Sequence, residues 1–94
     1  MAILRRRILV LNVKRQWFDD IRSGVKKEEY RLVKPFWDSR LSKDYSQICI
    51  RLGYASADDP DRNLYFPWRG VTVRKITHPE FGPDPVDVYV IPLE

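Results

Sequence analysis

Apolar residues return at every second position in several short runs of this chain, as in Ile48-Cys49-Ile50-Arg51-Leu52 and Val86-Asp87-Val88-Tyr89-Val90. A period of two puts alternate side chains on opposite faces of an extended strand, so each run buries one face and needs a second layer to cover it. Helical spacing occurs in only two stretches, both short. This combination constrains the fold more than any other feature: brief strands, little helix, and one core to share.

The elements follow in order. "RRILVLNV" reads as a first strand whose unbroken apolar run over 8–11 predicts burial on both faces. In "KRQWFDDIRSG", Trp17/Ile21 at i,i+4 and Phe18/Ile21 at i,i+3 predict a short amphipathic helix, with Gly24 where a left-handed C-cap is wanted. "KKEEYRLV" alternates as a half-buried strand, with Tyr30 and Leu32 expected in the core and Glu29 and Arg31 on the opposite face. Pro35 suits the first position of a second helix, in which Trp37 and Leu41 fall at i,i+4. "SQICIRLGY" directs Ile48, Ile50 and Leu52 inward and Cys49, Arg51 and Gly53 the other way. The polar loop "ASADDPDRN" closes a hairpin. "LYFPWRGVTVRKI" reads as one strand in which Pro67 and Gly70 predict a bulge, an edge or a sharp bend. "THPEFGPDP" is a turn-rich connection, and "VDVYVIPL" is the last strand.

The expected order is therefore β-α-β-α-β-β-β in a single α+β domain spanning residues 1–94. About five short strands with two small helices bury one core most economically as a curled sheet or a small mixed β-barrel. A parallel α/β layer would need longer helices, and none separates the last three strands.

Composition narrows the function classes. A chain of 94 residues, 44% hydrophobic and 13% aromatic, suits one ordered domain with one core. The lone Cys49 rules out an internal disulfide, and with a single His it gives no basis for a zinc site, so neither metal nor cofactor is expected. The apolar run near the amino terminus is too short for a leader or a membrane span, which points to a soluble cytoplasmic protein. Net charge is +4, but residues 1–40 carry eleven Lys/Arg against five Asp/Glu, whereas residues 41–94 carry six against eight. A basic first half suits a polyanionic partner, because phosphate attraction is the sequence-independent part of nucleic-acid binding.

Few residues offer catalytic chemistry. His78 stands in a turn context with no nucleophile elbow nearby, Cys49 lies mid-strand as a buried or half-buried thiol, and no glycine-rich phosphate loop exists. The charged strand "GVKKEEYR" is more informative. Glu29 and Arg31 share a face ~6–7 Å apart, where Arg31 can hold Glu29 ionised or present its fork to a phosphate or base edge. Lys26, still in the turn, escapes the alternation and adds a cation at the mouth of any cleft, and Lys14 and Trp17 can close its other side. Arg51 is a further candidate cation. Trp17, Trp37, Tyr54 and Trp68 are candidates for stacking a base, with Tyr54, beside Gly53, the one expected to be exposed.

The stretch Gly24-x-Lys26-x-x-Glu29-x-Arg31 resembles the G-x-K-x-x-E-x-R signature of ASCH domains, small β-barrels related to the PUA RNA-binding fold. "LNVKRQWFDDIRSGVKKEEYRLVKPFW" is similar to the amino-terminal half of a bacterial or phage ASCH protein. "IRLGY", "FPWRGVTV", "HPEFG" and "VYVIPL" match the character of the other half. The resemblance thus covers nearly the whole chain.

The resemblance implies a cleft that binds RNA or a modified nucleoside, lined by Lys26, Glu29 and Arg31, with Gly24 as the structural turn. Some members of the family act as ribonucleases, or as hydrolases that remove the acetyl group of N4-acetylcytidine. If this chain is an enzyme, Lys26, Glu29 and Arg31 are the implied catalytic residues. The hydrolases, however, carry a catalytic Thr in a K-x-x-T-x-R motif where this chain has Glu29, which argues against that activity. Three functions are therefore carried forward: a binding module for RNA or a nucleoside, a metal-independent enzyme on the same ligands, and a small accessory protein-interaction domain.

Overall fold

The computed structural model describes residues 7–94; residues 1–6, the start of the stretch weighed above as a leader, lie outside them. The chain forms β1 (Ile8–Val13), α1 (Arg15–Arg22), β2 (Glu28–Leu32), α2 (Pro35–Leu41), β3 (Gln47–Leu52), β4 (Asn63–Pro67), β5 (Thr72–Ile76), a 3-10 turn (Pro79–Phe81) and β6 (Val86–Pro92). The segment expected as one strand is thus two, β4 and β5. Pro67 has no N–H with which to continue a ladder, and Gly70 adopts φ +77°, a left-handed conformation that side chains resist. The bend between them is sharp enough to send β5 into a different sheet.

Two three-stranded sheets result, ordered β1-β3-β4 and β2-β6-β5. β1 runs parallel to β3, and the stretch α1-β2-α2 supplies the long crossover that a parallel pair requires. Every other pairing is antiparallel, including the β3–β4 hairpin closed by the predicted polar loop. Among the described residues no ladder joins the two sheets, so the strand pairing yields an α+β protein of two three-stranded sheets, where a curled sheet or small mixed β-barrel was expected. β1 and β2 are both edge strands. Side chains span between them: Arg31 Nη2 on β2 donates 3.0 Å to the backbone carbonyl of Asn12 on β1.

The core forms from Leu9, Leu11 and Val13 of β1, Ile48 and Ile50 of β3, Phe18 and Ile21 of α1, Leu41 of α2, and Ile91 and Leu93 at the end of the chain. Alternation governs β1 throughout. Ile8 and Val10 remain 42% and 37% exposed, contrary to the burial expected on both faces, because none of the described residues covers the second face of this edge strand. β3, central in its sheet, buries Cys49 as well as Ile48 and Ile50. No helix is long and apolar enough to cross a membrane among the described residues.

β2 reverses the expected parity. Its register sets Glu29 opposite Ile91 and Arg31 opposite Tyr89, whereas Tyr30 and Leu32 lie opposite Val90 and Val88. Residues directly opposite share a face of the sheet, and Ile91 belongs to the main core. The charged pair therefore occupies the core-facing side, and Glu29, 7% exposed, is the most buried residue of the strand. Tyr30 and Leu32, expected in the core, pack on the other face and stay half-buried.

Candidate functional site

The site begins where two local rules bend. Lys14 occupies the N-cap of α1, where Ser, Thr, Asp or Asn would accept a hydrogen bond from the helix's free N–H groups. No side-chain cap forms, and the first turn contains no acid. The ammonium of Lys14 instead lies 3.1 Å from each carboxylate oxygen of Glu80, and the indole N–H of Trp17 donates to Glu80 Oε1 at 3.3 Å. At the other end of α1, Gly24 adopts φ +84°, and its N–H donates to Ile21 O. The N–H of Lys26 then bonds back to Asp20 O at 2.9 Å, which sets Lys26 in a fixed turn ahead of β2.

From that turn Lys26 Nζ lies 3.6 Å from Glu29 Oε1, 4.5 Å from the centre of the Tyr30 ring and 5.4 Å from that of Trp17. Glu29 Oε1 also accepts the N–H of Tyr30 at 3.0 Å, and Oε2 accepts Arg31 Nη2 at 3.3 Å. A carboxylate this buried is tolerable only when paired and hydrogen-bonded, and Glu29 is both, clamped between two cations. Arg31 stacks over Trp37 with its Cζ 5.0 Å from the ring centre. Its Nε is buried without a hydrogen-bond partner among the described residues.

These groups line a cleft of ≈ 280 Å³ between the edges of β1 and β2, walled by Trp17, Tyr30, Trp37, His78 and Phe81 and edged by Asn12, Lys14, Lys34 and Glu80. Of the residues singled out in the sequence, Lys14, Trp17, Lys26, Glu29, Arg31 and Trp37 come together here, with Gly24 as the turn that aims Lys26. Arg51 and Tyr54 do not. The Arg51 guanidinium is occupied by Asn63 Oδ1 at 2.7 Å, and Tyr54 is fully exposed on the loop after β3. Trp68 packs against Tyr45 beside the core, also outside the cleft.

Sequence reasoning missed the wall contributed by the β5–β6 connection. His78, set aside as a turn residue, lies 5.2 Å from Trp17, 5.7 Å from Tyr30 and 5.4 Å from Phe81, ring centre to ring centre. Its Nδ1 accepts the N–H of Glu80 at 3.1 Å, so the neutral ring carries its proton on Nε2. Glu80 is held below the usual carboxylate range, first by its hydrogen bond to Lys14 and then by the Trp17 indole. No local signal marks residues that reach the site from more than forty positions away.

Behind the cleft a second polar cluster fixes Tyr30. Glu28 accepts the Arg74 fork at 3.1 and 3.3 Å and the Tyr30 hydroxyl at 2.8 Å. The Arg74 hydrogen bond, followed by that of Tyr30, lowers the Glu28 carboxyl, while burial and then the Glu28 hydrogen bond raise the Tyr30 phenol. The cleft thus combines flat aromatic walls with two ordered cations. That set suits a planar ligand with acceptor atoms and negative charge. The chain matches no protein-family model, no curated protein and no solved structure.

Proposed function

We propose that the chain is an ASCH-like domain whose two sheets are the halves of a PUA-type barrel, open along the seam between β1 and β2, and that this seam binds a nucleobase of RNA or of a modified nucleoside. One observation carries the reading. Lys26, Glu29 and Arg31, spread over a turn and a strand, converge in a single concave site with aromatic walls. In this reading the base lies against Trp17, Tyr30 or Trp37, and Arg31 and Lys26 donate to its acceptor edge or to a phosphate. Glu29 acts indirectly in this reading. Its oxygens are already engaged by Lys26, Arg31 and the Tyr30 N–H, so it positions the two cations.

Titration calorimetry with cytidine, N4-acetylcytidine, the nucleoside 5′-monophosphates and a short single-stranded RNA tests the proposal. Lys26→Ala is expected to abolish the binding that the wild-type protein shows. Absence of binding to all of these ligands, or undiminished binding by the variant, overturns it.

The shielding of the Lys26 ammonium by Trp17, Tyr30 and Glu29, with His78 and Glu80 facing the same cleft, favours a second reading as a metal-independent enzyme on the same ligands. Glu29 lacks the hydroxyl that the acetylcytidine hydrolases of the resembled family carry at that position, so RNA cleavage ranks above deacetylation. Turnover that vanishes in Lys26→Ala while affinity persists would establish the enzyme over the binding module.

A further inference from the structure

We infer that the binding site continues past the cleft onto the exposed side of α2, where Phe36 and Arg40 receive the nucleotide next to the one held in the cleft. The ligand is then a single-stranded nucleic acid and not a free nucleoside. This rests on the cleft reading above and extends it.

Four observations converge. Phe36 is 53% exposed, although nothing in the folding of a seven-residue helix requires an aromatic ring at an outward position. Its ring meets Trp37, a wall of the cleft, edge to face with centres 4.9 Å apart, so the two aromatic surfaces are continuous. Arg40 stacks on Phe36 with its Cζ 4.3 Å from the ring centre, just as Arg31 stacks on Trp37. Finally, the basic side chains here form no ion pair among the described residues. Neither Arg40 nor Lys34, which edges the cleft just before α2, has a carboxylate within 4 Å among those residues, and Asp38, the acid on the same helix, is engaged by the Tyr89 hydroxyl.

Exposed aromatic rings interleaved with free cations are the surface that single strands use: bases stack on the rings while the cations follow the phosphates. An apolar protein partner would gain nothing from Lys34 and Arg40, and a free nucleoside would not reach Phe36 from the cleft. Charge and continuity therefore select a polyanionic strand.

The test is fluorescence anisotropy of the full chain with labelled strands of about ten nucleotides, one RNA and one DNA of the same mixed sequence. Unlabelled nucleoside 5′-monophosphates serve as competitors, and thermal melts check that each variant is folded. At least one strand is expected to bind about tenfold or more tightly than any mononucleotide, and the RNA and DNA arms identify which. Phe36→Leu, which keeps apolar bulk but no ring, is expected to lose about tenfold in strand affinity with mononucleotide binding unchanged, and Phe36→Trp to retain it. Arg40→Ala is expected to weaken strand binding and to flatten its salt dependence. If Phe36→Leu and Arg40→Ala leave strand affinity intact while Lys26→Ala abolishes it, the extension falls and the cleft reading survives. If no strand binds more tightly than a mononucleotide, the extension falls by itself. If strand binding is lost in Phe36→Leu but untouched in Lys26→Ala, both fall, and the α2 surface is an unrelated site.

Discussion

Lys26 and Glu29 face each other across 3.6 Å with side chains only 12% and 9% exposed, although one residue belongs to a turn and the other to a strand. The pair survives burial because Arg31 closes the other side of the carboxylate at 3.3 Å. Removing the anion leaves two cations in a poorly hydrated space, and breaking a buried pair in this way costs about 3–5 kcal/mol. Glu29→Gln is therefore expected to lower the unfolding midpoint by roughly 12 °C or more in a domain of this size. Thermal unfolding followed by circular dichroism measures it. Lys27→Ala, at the exposed neighbour, is expected to stay within about 0.5 kcal/mol of the wild type.

Acid should act on the cluster behind the cleft. The Glu28 carboxyl is lowered from 4.5 by Arg74 and by the Tyr30 hydroxyl. A carboxyl lowered on folding contributes stability above its unfolded value, and that contribution is lost as pH falls through the folded value. The wild-type melting temperature should thus fall on acidification below about pH 4.5, and Glu28→Gln should show a shallower decline. Tyr30 has the opposite sign. Its phenol is raised from 10.0, so its contribution is present below pH 10 and disappears as pH rises through the folded value. A melting-temperature profile of both proteins across the pH range checks both limbs; parallel acid limbs in wild type and Glu28→Gln would contradict the assignment.

The loop between β3 and β4 depends on one buried amide. Asn63 donates to Ser56 O at 2.9 Å and to Asp59 O at 2.8 Å, and its Oδ1 accepts from Arg51 and from Cys49 Sγ. Asn63→Ala leaves several of these partners unmet, at about 1–3 kcal/mol for each group that stays buried. The variant is expected to be destabilised by at least that amount and to be cut by protease within residues 53–62, which limited proteolysis with mass spectrometry will locate.

The two faces of β1 should respond differently to substitution. Leu11 is fully buried, so Leu11→Ala is expected to cost about 2–5 kcal/mol through lost burial and the cavity left behind. Val10 points outward from the same strand, and Val10→Thr is expected to change stability by no more than about 0.5 kcal/mol. Urea unfolding of the two variants gives both values, and equal losses would refute the one-sided burial of the strand.

Much of this was legible in the sequence because it is local. The spacing of Trp17, Phe18 and Ile21 makes α1 amphipathic, Gly24 ends it in a left-handed turn, and Pro35 opens α2, since each depends on the geometry of a few consecutive residues. Alternation also determined which residues of β2 travel together: Glu29 with Arg31, and Tyr30 with Leu32. The motif resemblance singled out Lys26 from its neighbour Lys27, which is exposed in the folded chain.

Only the tertiary structure decided which of those faces meets the core. Hydrophobicity favours Tyr30 and Leu32, but β2 pairs with β6 so that Glu29 lies beside Ile91, where Lys26 and Arg31 compensate the charge that burial would otherwise forbid. The split at Pro67 and Gly70, which sends β4 and β5 into separate sheets, is equally a long-range outcome. So is the arrival of His78 and Glu80 beside Trp17 and Lys14. The physical reason is the same in each case: periodicity fixes the direction of a side chain relative to its own strand, whereas its neighbours are set by which strands find each other in the folded chain.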